Sequence, residues 1–426
     1  MTITVPVLLM KQYKQSVHFA PYFFSSEDGQ FIMIYRRFGK TGIDMPVLSF
    51  GCMRSMHSWQ LAKDSEIPDD SQLKLEQIVH KALAHGINHI ETAHGYGSSE
   101  QQLGRILPTV PRNDYILQSK ALPCEDPQEF VTKVKLSMAR LGVDRLDLLA
   151  LHGLNDHRSL WQCCRKNGCL AAARKLQDQG LVGHVGFSGH GPTDVILQAL
   201  NHTEDGGFDF CNIHWYFIFD ANREAVDLAA AHDIGIFIIS PSDKGGHLHS
   251  PSPKLKKLCA PLSPMLFNDL YCLDKKGVCT ISIGASEPHH FDEHLKVLPF
   301  LEYGDREILR AVEKKLRTKM AKETGHQRPD YFWHKFPGWD EAPGNVNIKM
   351  TLWLANLYRA WDMRSFAGER YAMLNRGSSW VQGNDGGRAA ELDFSEIMRP
   401  DELSAEQLKE MLVAAHQLLK KDGETT

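Results

Sequence analysis

The 426-residue sequence contains no apolar run close to the ~20 residues that a membrane-spanning helix requires. It also has no long run of Lys or Arg, and its formal net charge is −4, so neither nucleic acid nor an anionic membrane surface is an expected partner. The apolar stretch 5–10 is short for a secretory signal and has no charged segment before it. These absences favour a cytoplasmic protein that acts on a small molecule.

The nine cysteines are scattered and form no CxxC pair, which argues against a zinc ribbon or a secreted disulfide framework. We expect reduced and mostly buried thiols. Two histidine pairs, His247/His249 and His289/His290, lack the cysteine or carboxylate pattern of a metal site. The sequence therefore predicts no bound metal.

Short apolar strands alternate with helical segments through most of the chain. The eight predicted strands cover residues 47–51, 87–91, 115–120, 146–151, 183–188, 208–214, 234–240 and 279–284. The predicted helices between and after them include 127–141 with Asp126 as N-cap, 159–179, 264–276 after a longer loop, and 288–298, and Ser404 begins a predicted capping box for the last helix. This alternation predicts a parallel sheet with crossover helices, and eight repeats favour a closed (β/α)₈ TIM barrel. An open doubly wound sheet is the alternative, but no Gly-x-Gly-x-x-Gly follows any of the strands.

The segments on either side of this pattern differ from it. Residues 1–32 resemble a non-core extension, and 35–46 read as a hairpin around a Gly-Lys-Thr-Gly turn. We expect the barrel to occupy residues 33–300. Residues 301–426 form a predicted helical extension whose tryptophans indicate burial against the barrel or a partner. A role as a lid or wall of the substrate pocket is favoured over an oligomer contact or the relic of another module.

Four reactive side chains follow the ends of adjacent predicted strands, where barrel enzymes carry their chemistry. Glu91 ends the second strand and Tyr96 follows it, while Lys120 ends the third and His152 follows the fourth. Alone, each favours a structural role, but an ammonium at the end of an apolar strand requires a carboxylate nearby. We expect Lys120 to lower the pKa of Tyr96, which could then protonate a carbonyl oxygen while Glu91 holds Lys120 and His152 orients the carbonyl.

Four segments resemble the aldo-keto reductase superfamily and occur in the family's order. They are YRRFGKTG at 35–42, GINHIETAHGYGSSEQQLG at 86–104, LDLLALH at 146–152 and SIGASEP at 282–288. The resemblance covers residues 34–300 and implies a barrel that binds NADPH, with NADH as a possibility, and reduces an aldehyde, ketone or sugar-like carbonyl. By position, the resemblance implies that Tyr96 is the family's proton-donating acid, Lys120 its active-site lysine and His152 its oxyanion-binding histidine. Glu91 replaces the family's aspartate.

The resemblance also implies a set of cofactor contacts. These are Gly51, Cys52, Met53, Ser188, Asn212, Trp215, Ser240, Lys244, Gly284, Ala285, Ser286 and Glu293. In the family, the first three positions line the nicotinamide ribose, and those of Ser188 and Asn212 contact the carboxamide. Trp215 or Tyr216 would stack on nicotinamide. The loop 240–246 would cover the pyrophosphate, with Lys244 as a cation.

The remaining four predicted positions, 284–286 and Glu293, would bind the adenosine part, where backbone amides and a helix N-terminus meet a phosphate. No Lys or Arg lies between Ser286 and His294, so His289 or His290 would have to contact a 2′-phosphate.

The chain resembles a bacterial branch whose members carry a C-terminal ferredoxin-like segment. It has no cysteine after Cys279, so a four-cysteine iron–sulfur cluster cannot form in the extension. Two positions leave an alternative function open, because Glu91 and Gly189 both depart from the family. The alternative is a weakly catalytic, nucleotide-binding or regulatory protein built on the same barrel.

Overall fold

The computed structural model describes residues 32–61, 66–304, 306–377 and 380–420. Of the predicted N-terminal extension, 1–32, only the last residue lies within these ranges, so that segment stays a prediction. The predicted hairpin is confirmed, because strands β1 (Tyr35–Arg37) and β2 (Asp44–Pro46) pair antiparallel. No helix in the described ranges combines the length and the apolar character needed to cross a membrane.

Eight parallel strands form a closed barrel, which confirms the predicted fold class. They are β3 (Leu48–Gly51), β4 (His89–Glu91), β5 (Ile116–Ala121), β6 (Leu146–Leu151), β7 (Val182–Ser188), β8 (Phe210–Ile213), β9 (Gly235–Ile238) and β10 (Val278–Ile283). Each strand pairs with the next along the chain, and β10 closes the barrel on β3. The carboxyl ends of neighbouring strands therefore meet at one mouth.

Helices surround the barrel and also occur along the extension. Those of the barrel are α1 (Asp69–Ala84), α2 (Ser99–Ile106), α3 (Pro127–Leu141), α4 (His157–Cys164), α5 (Cys169–Asp178), α6 (Thr193–Asn201), α7 (Arg223–Ala231), α8 (Pro253–Cys259), α9 (Pro264–Asp274), α10 (Phe291–Leu295) and α11 (Val297–Tyr303). Those of the extension are α12 (Glu307–Thr324), α13 (Ile348–Trp361), α14 (Arg364–Tyr371) and α15 (Ala405–Leu419).

Local sequence signals set several of these boundaries. The side chain of Asp126 caps α3 by accepting from the Gln128 amide at 2.9 Å, and Gly142 ends the helix with φ of 66°. Ser404 forms the predicted capping box with Gln407 at the start of α15. In each case the cap satisfies backbone groups that the helix itself leaves unpaired.

One predicted helix, 159–179, is wrong as a single element. It is divided into α4 and α5 because Asn167 adopts a left-handed φ of 57°. A Cβ at Gly168 would lie 2.6 Å from the carbonyl oxygen of Cys163, so the close turn requires glycine there. Helix α8 also falls in a region predicted as loop, and α10 and α11 divide the predicted helix 288–298.

The hairpin closes the end of the barrel opposite the mouth. Phe38 is fully buried, and its ring centre lies 5.6 Å from that of Phe210 inside the barrel. A Cβ on Gly235 would lie 2.7 Å from the Phe38 ring, so glycine at this position leaves room for that ring inside the barrel. The mouth at the carboxyl ends of the strands is thus left for function.

The C-terminal extension packs on the barrel and shares its hydrophobic core. Trp353 of α13 donates its indole N–H to the carbonyl oxygen of Ile218 at 2.6 Å. Trp361 stacks on Phe217, with ring centres 5.4 Å apart. Because Phe217 and Ile218 follow strand β8, the extension reaches the loops around the mouth. The predicted burial of tryptophans against the barrel is confirmed for Trp353 and Trp361.

Candidate active site

The four predicted catalytic side chains lie together at the mouth. Strands β4, β5 and β6 are neighbours, so their ends bring Glu91, Lys120 and His152 to one place. The Lys120 ammonium forms an ion pair with the Glu91 carboxylate, and these side chains are only 2% and 6% exposed. Lys120 Nζ also donates to the carbonyl oxygen of Thr92 at 2.9 Å. Two strong contacts thus fix the lysine.

Tyr96 completes the group from the loop after β4. Lys120 Nζ lies 4.5 Å from the centre of the Tyr96 ring, and the His152 ring meets it edge to face at 5.6 Å. The turn after Tyr96 depends on Gly97, which has φ of 47°, and a Cβ there would collide with the carbonyl oxygen of Ser58. The loop therefore holds the half-buried phenol at a defined position.

Burial dominates the electrostatics of this group. It raises the pKa of Tyr96, and negative charge on Cys52 would add to the effect. The expectation that Lys120 lowers the pKa of Tyr96 is wrong, because burial outweighs the ammonium over the ring face. Burial, with a smaller effect of Lys120, lowers the pKa of His152 to about 3. His152 is therefore a neutral imidazole near neutral pH.

Lys120 is subject to two opposing effects. Burial disfavours its ammonium and lowers its pKa well below the ordinary value, while the contact with Glu91 favours the charged form. The additional methylene of Glu91, relative to aspartate, is accommodated beside a glycine. A Cβ at Gly51 would lie 3.1 Å from Glu91 Oε2 and 2.5 Å from Ser282 Oγ. Glu91 thus reaches Lys120 in a space that a side chain at residue 51 would fill.

The predicted carboxamide contacts are buried at the ends of β7 and β8. Ser188 Oγ accepts from the Gly153 amide at 3.2 Å. Asn212 is fully buried, and within the described ranges neither of its amide atoms has a hydrogen-bond partner. A buried amide without partners costs free energy, and a primary carboxamide can satisfy both of its atoms. Asn212 therefore fits the amide end of a nicotinamide.

Trp215 does not fit the stacking role expected for it. It is 1% exposed, its ring stacks on Tyr271 at 4.9 Å, and its indole N–H donates to Asp220 at 2.7 Å. Its ring face is already covered, so its role is packing. Tyr216 is also buried, and its hydroxyl donates to the carbonyl oxygen of Ile239 at 2.6 Å.

The loop after β9 brings Lys244 to a group of histidines. Ser240 begins this loop with a left-handed φ of 55°. Lys244 Nζ lies 3.4 Å from His190 Nδ1 and 3.3 Å from His214 Nε2, and the two imidazoles contact each other. Burial, together with positive charge on Arg370, lowers the pKa of Lys244 to about 7. Neither histidine was predicted to lie in the site, although His190 follows one predicted strand and His214 ends another.

The predicted adenosine side is more closed than expected. Gly284 packs on Arg54, because a Cβ there would lie 2.9 Å from Arg54 Cδ, and Ala285 is fully buried. The Ser286 amide donates to His290 Nδ1 at 3.2 Å and is thus already satisfied. Glu293 accepts from Ser263 and Lys296 at 2.5 and 2.6 Å.

Two residues of the turn Cys52–Arg54 were also expected near the ribose. Cys52 is buried and close enough to Lys120 for their charges to interact, while Met53 is half-buried. Arg54, which no motif indicated, lies 3.9 Å from Asp243 of the loop after β9. Across the described ranges, no set of three or more His, Cys, Asp or Glu side chains is arranged to hold a metal ion.

A closed (β/α)₈ barrel with Tyr, Lys, His and a carboxylate gathered at its mouth is the arrangement that the sequence motifs imply for aldo-keto reductases. Residues 47–251 match the family model described as the aldo/keto reductase family. The barrel segment 47–251 is thus similar to the aldo/keto reductase family, and the resemblance found in the sequence is confirmed.

Curated relatives match over parts of their length. A 6-dehydroglucose reductase of Novosphingobium aromaticivorans is 31% identical over 134 residues, 28% of this chain and 41% of that enzyme. A D-arabinose 1-dehydrogenase of Saccharomyces cerevisiae is 30% identical over 34% of this chain and 48% of its own length. A pyridoxine 4-dehydrogenase of Escherichia coli is 27% identical over 51% of this chain and 79% of its own. The match to this chain thus spans less than half the length of the 6-dehydroglucose reductase and of the D-arabinose 1-dehydrogenase.

Solved structures support the fold alone. The holo form of an aldo-keto reductase from Bacillus halodurans has a TM-score of 0.54 at 23% identity, over 66% of this chain and 96% of that one. A thermostable aldo-keto reductase in complex with epalrestat has a TM-score of 0.55 at 20% identity, over 66% and 100%.

Proposed function

We propose that this protein is an NADP-dependent oxidoreductase that reduces an aldehyde, ketone or sugar-like carbonyl, with Tyr96 as the proton donor. The observation that carries the proposal is the juxtaposition of Tyr96, His152 and the buried Glu91–Lys120 pair at the mouth. A nicotinamide dinucleotide would supply the hydride. The residues of this chain bind the carbonyl, orient it and supply the proton.

Tyr96 and His152 both face the carbonyl oxygen, and each has a different role there. Because burial raises the pKa of Tyr96, the phenol keeps its proton until negative charge develops on the carbonyl oxygen. His152 has a pKa of about 3 and is neutral, so it donates a hydrogen bond without competing for that proton. When hydride adds to the carbonyl carbon, the oxygen takes the Tyr96 proton and the product is an alcohol.

Lys120 and Glu91 stabilise the tyrosine after it has given up its proton. An ammonium 4.5 Å from the ring centre attracts the negative charge of the phenolate. The Glu91 carboxylate opposes the effect of burial and keeps Lys120 charged. Water then returns a proton to Tyr96, which completes the cycle.

The cofactor assignment rests on the residues beyond this group. Asn212, with both amide atoms unpaired, fits the carboxamide, and Lys244 supplies a cation along the mouth. One structural neighbour, with a TM-score of 0.52, is an aldo-keto reductase complexed with NADPH. We therefore propose NADPH as the cofactor, with NADH as the competitor to be compared.

The substrate class follows from the relatives and from one exposed aromatic ring. Two relatives are named for sugars and a third for pyridoxine, all of them small polar rings or chains. Trp59 is 63% exposed and meets the Tyr96 ring edge on, with centres 6.5 Å apart. An exposed indole beside the proton donor can pack on the apolar face of such a molecule.

A second function, nucleotide binding with little turnover, is favoured by one observation. Gly189 provides no side chain, and its amide already donates to the carbonyl oxygen of Asn212 at 3.1 Å. One expected contact to the carboxamide is therefore missing from this mouth.

The two functions are separated by measuring binding and turnover on the same preparation. Calorimetry with NADPH and NADH gives the preferred cofactor, and oxidation of that cofactor is then followed with aldoses, pyridoxal, aromatic aldehydes and ketones. Turnover with at least one carbonyl supports the reductase. Tight binding without turnover on the whole panel supports the second function instead.

A further inference from the structure

The C-terminal extension forms one wall of the mouth. Met363, just before helix α14, packs so closely on Gly246 that a Cβ on that glycine would collide with its methyl group. Arg370, within α14, donates to Asp243 at 2.8 Å. Both contacts fall on the loop after β9, which also carries Lys244. The extension is therefore placed to contact whatever binds beside this loop.

Two cations meet at an aromatic ring of the extension. Lys244 Nζ lies 4.5 Å from the centre of the Trp380 ring, and Arg370 Cζ lies 4.7 Å from the same centre. One cation comes from the barrel and the other from the extension. An aromatic face attracts both cations without neutralising either of them.

Neutralising charge is scarce around this pair. Asp243 contacts Arg370 and also lies 3.9 Å from Arg54, so one carboxylate is shared by two arginines. The nitrogen atoms nearest Lys244 belong to the imidazoles of His190 and His214, whose pKa values burial lowers well below the ordinary range. Neutral imidazoles do not compensate the charge that Lys244 carries when it is protonated, and Asp243 is the carboxylate that favours this charged form.

Arg370 also has an unused donor. Its side chain is 13% exposed, and its Nε is buried without a hydrogen-bond partner in the part of the chain that the structure describes. A buried guanidinium N–H without an acceptor is unfavourable, and a phosphate oxygen is among the acceptors that arginine binds best. Lys244 and Arg370 together thus present positive charge on one side of the mouth, and Arg370 adds one unsatisfied donor, its Nε.

We propose that Arg370 and Lys244 bind the diphosphate of the dinucleotide, so that the C-terminal extension supplies part of the cofactor site. This inference rests on the proposed function. Lys120 is close enough to His190 for its charge to act on that imidazole, so the cationic group lies next to the catalytic end. A dinucleotide with its reactive ring at Tyr96 would extend along this wall. Trp380 holds the two cations in place.

The test compares two arginines of the same helix by calorimetry. NADPH and ADP-ribose, which keeps the diphosphate but lacks nicotinamide, are titrated into the full-length wild type, Arg370→Gln and Arg364→Gln. Arg364 lies in α14 with its guanidinium 5.1 Å from the centre of the Tyr358 ring, so it is a matched control. We expect Arg370→Gln to raise both dissociation constants about tenfold or more, and Arg364→Gln to change them less than about twofold.

The outcomes separate the inference from the function on which it rests. Wild type that binds neither NADPH nor NADH overturns the proposed function. Wild type that binds NADPH, with Arg370→Gln unchanged, overturns the inference alone. If Arg370→Gln does not fold, Lys244→Gln takes its place with the same expected loss, and unchanged affinity in that variant equally overturns the inference.

Discussion

Replacing Glu91 by glutamine tests the electrostatic role of the buried ion pair. The substitution removes the charge opposite Lys120 and keeps the length of the side chain. Because the side chains of Lys120 and Glu91 are 2% and 6% exposed, water cannot replace the lost carboxylate. Burial already lowers the pKa of Lys120, and the loss of Glu91 lowers it further. We expect Lys120 to be neutral in the variant near neutral pH.

The distance between Lys120 and Tyr96 sets the size of the effect. Unit charges 4.5 Å apart interact by about 4 kcal/mol at an effective dielectric constant of about 20. Part of the phenolate charge lies on the oxygen, farther away than the ring centre, so roughly 2–4 kcal/mol of stabilisation is lost in the transition state. Since about 1.4 kcal/mol corresponds to a tenfold change in rate, kcat falls by a factor between about 30 and 1,000.

The assay is steady-state kcat at saturating NADPH with the carbonyl that wild type reduces fastest, together with the dissociation constant of NADPH from calorimetry. Glu91→Asp is the control, because it keeps the charge and should retain much more activity than Glu91→Gln. NADPH affinity should stay the same in both variants, since neither substitution changes Lys244 or Arg370. A kcat for Glu91→Gln within about threefold of wild type refutes the reasoning.

Three further results are expected. Because the pKa of His152 is about 3, its ionisation should give no inflection in the pH profile of kcat near pH 6.5. An inflection there in wild type that disappears in His152→Gln would contradict this expectation. Trp353→Ala should lower the free energy of unfolding by roughly 3–5 kcal/mol in chemical denaturation, because the ring is 2% exposed and bonded to Ile218. Gly97→Ala should lower kcat while NADPH binding is kept, because the Cβ collides with Ser58 and moves Tyr96; an unchanged kcat would show that the turn adapts.

The barrel and its four mouth residues were predictable because they depend on short-range patterns. Each strand is a brief apolar run, and the parallel order places Glu91, Lys120 and His152 on adjacent strand ends without any knowledge of side-chain packing. Similarly, Asp126 predicted the start of α3 from local capping chemistry.

Features that depend on the surroundings of a side chain were not predictable in this way. The pKa of Tyr96 is set by burial among residues distant in the sequence, so the nearby lysine was given too much weight. Trp215 has the right position for stacking, but helix α9 supplies Tyr271 and covers its face. The contacts of Arg370 and Trp380 with the loop after β9 join segments more than a hundred residues apart, and no spacing rule indicates them.

The split of the helix predicted at 159–179 is an intermediate case. Asn167 and Gly168 form a dipeptide that is typical of turns, so the signal was present in the sequence. The helical pattern on both sides outweighed it. The left-handed φ of Asn167 shows that the turn residues determined the local structure.

The most direct measurement of the central claim is kcat of Tyr96→Phe at saturating NADPH, beside Tyr303→Phe as a control at an exposed position outside the barrel mouth. Removal of the proton donor should lower kcat by roughly 10²–10⁴-fold while NADPH affinity is unchanged, and Tyr303→Phe should match wild type. If Tyr96→Phe turns over within about twofold of wild type, Tyr96 is not the acid and the account of this active site is contradicted.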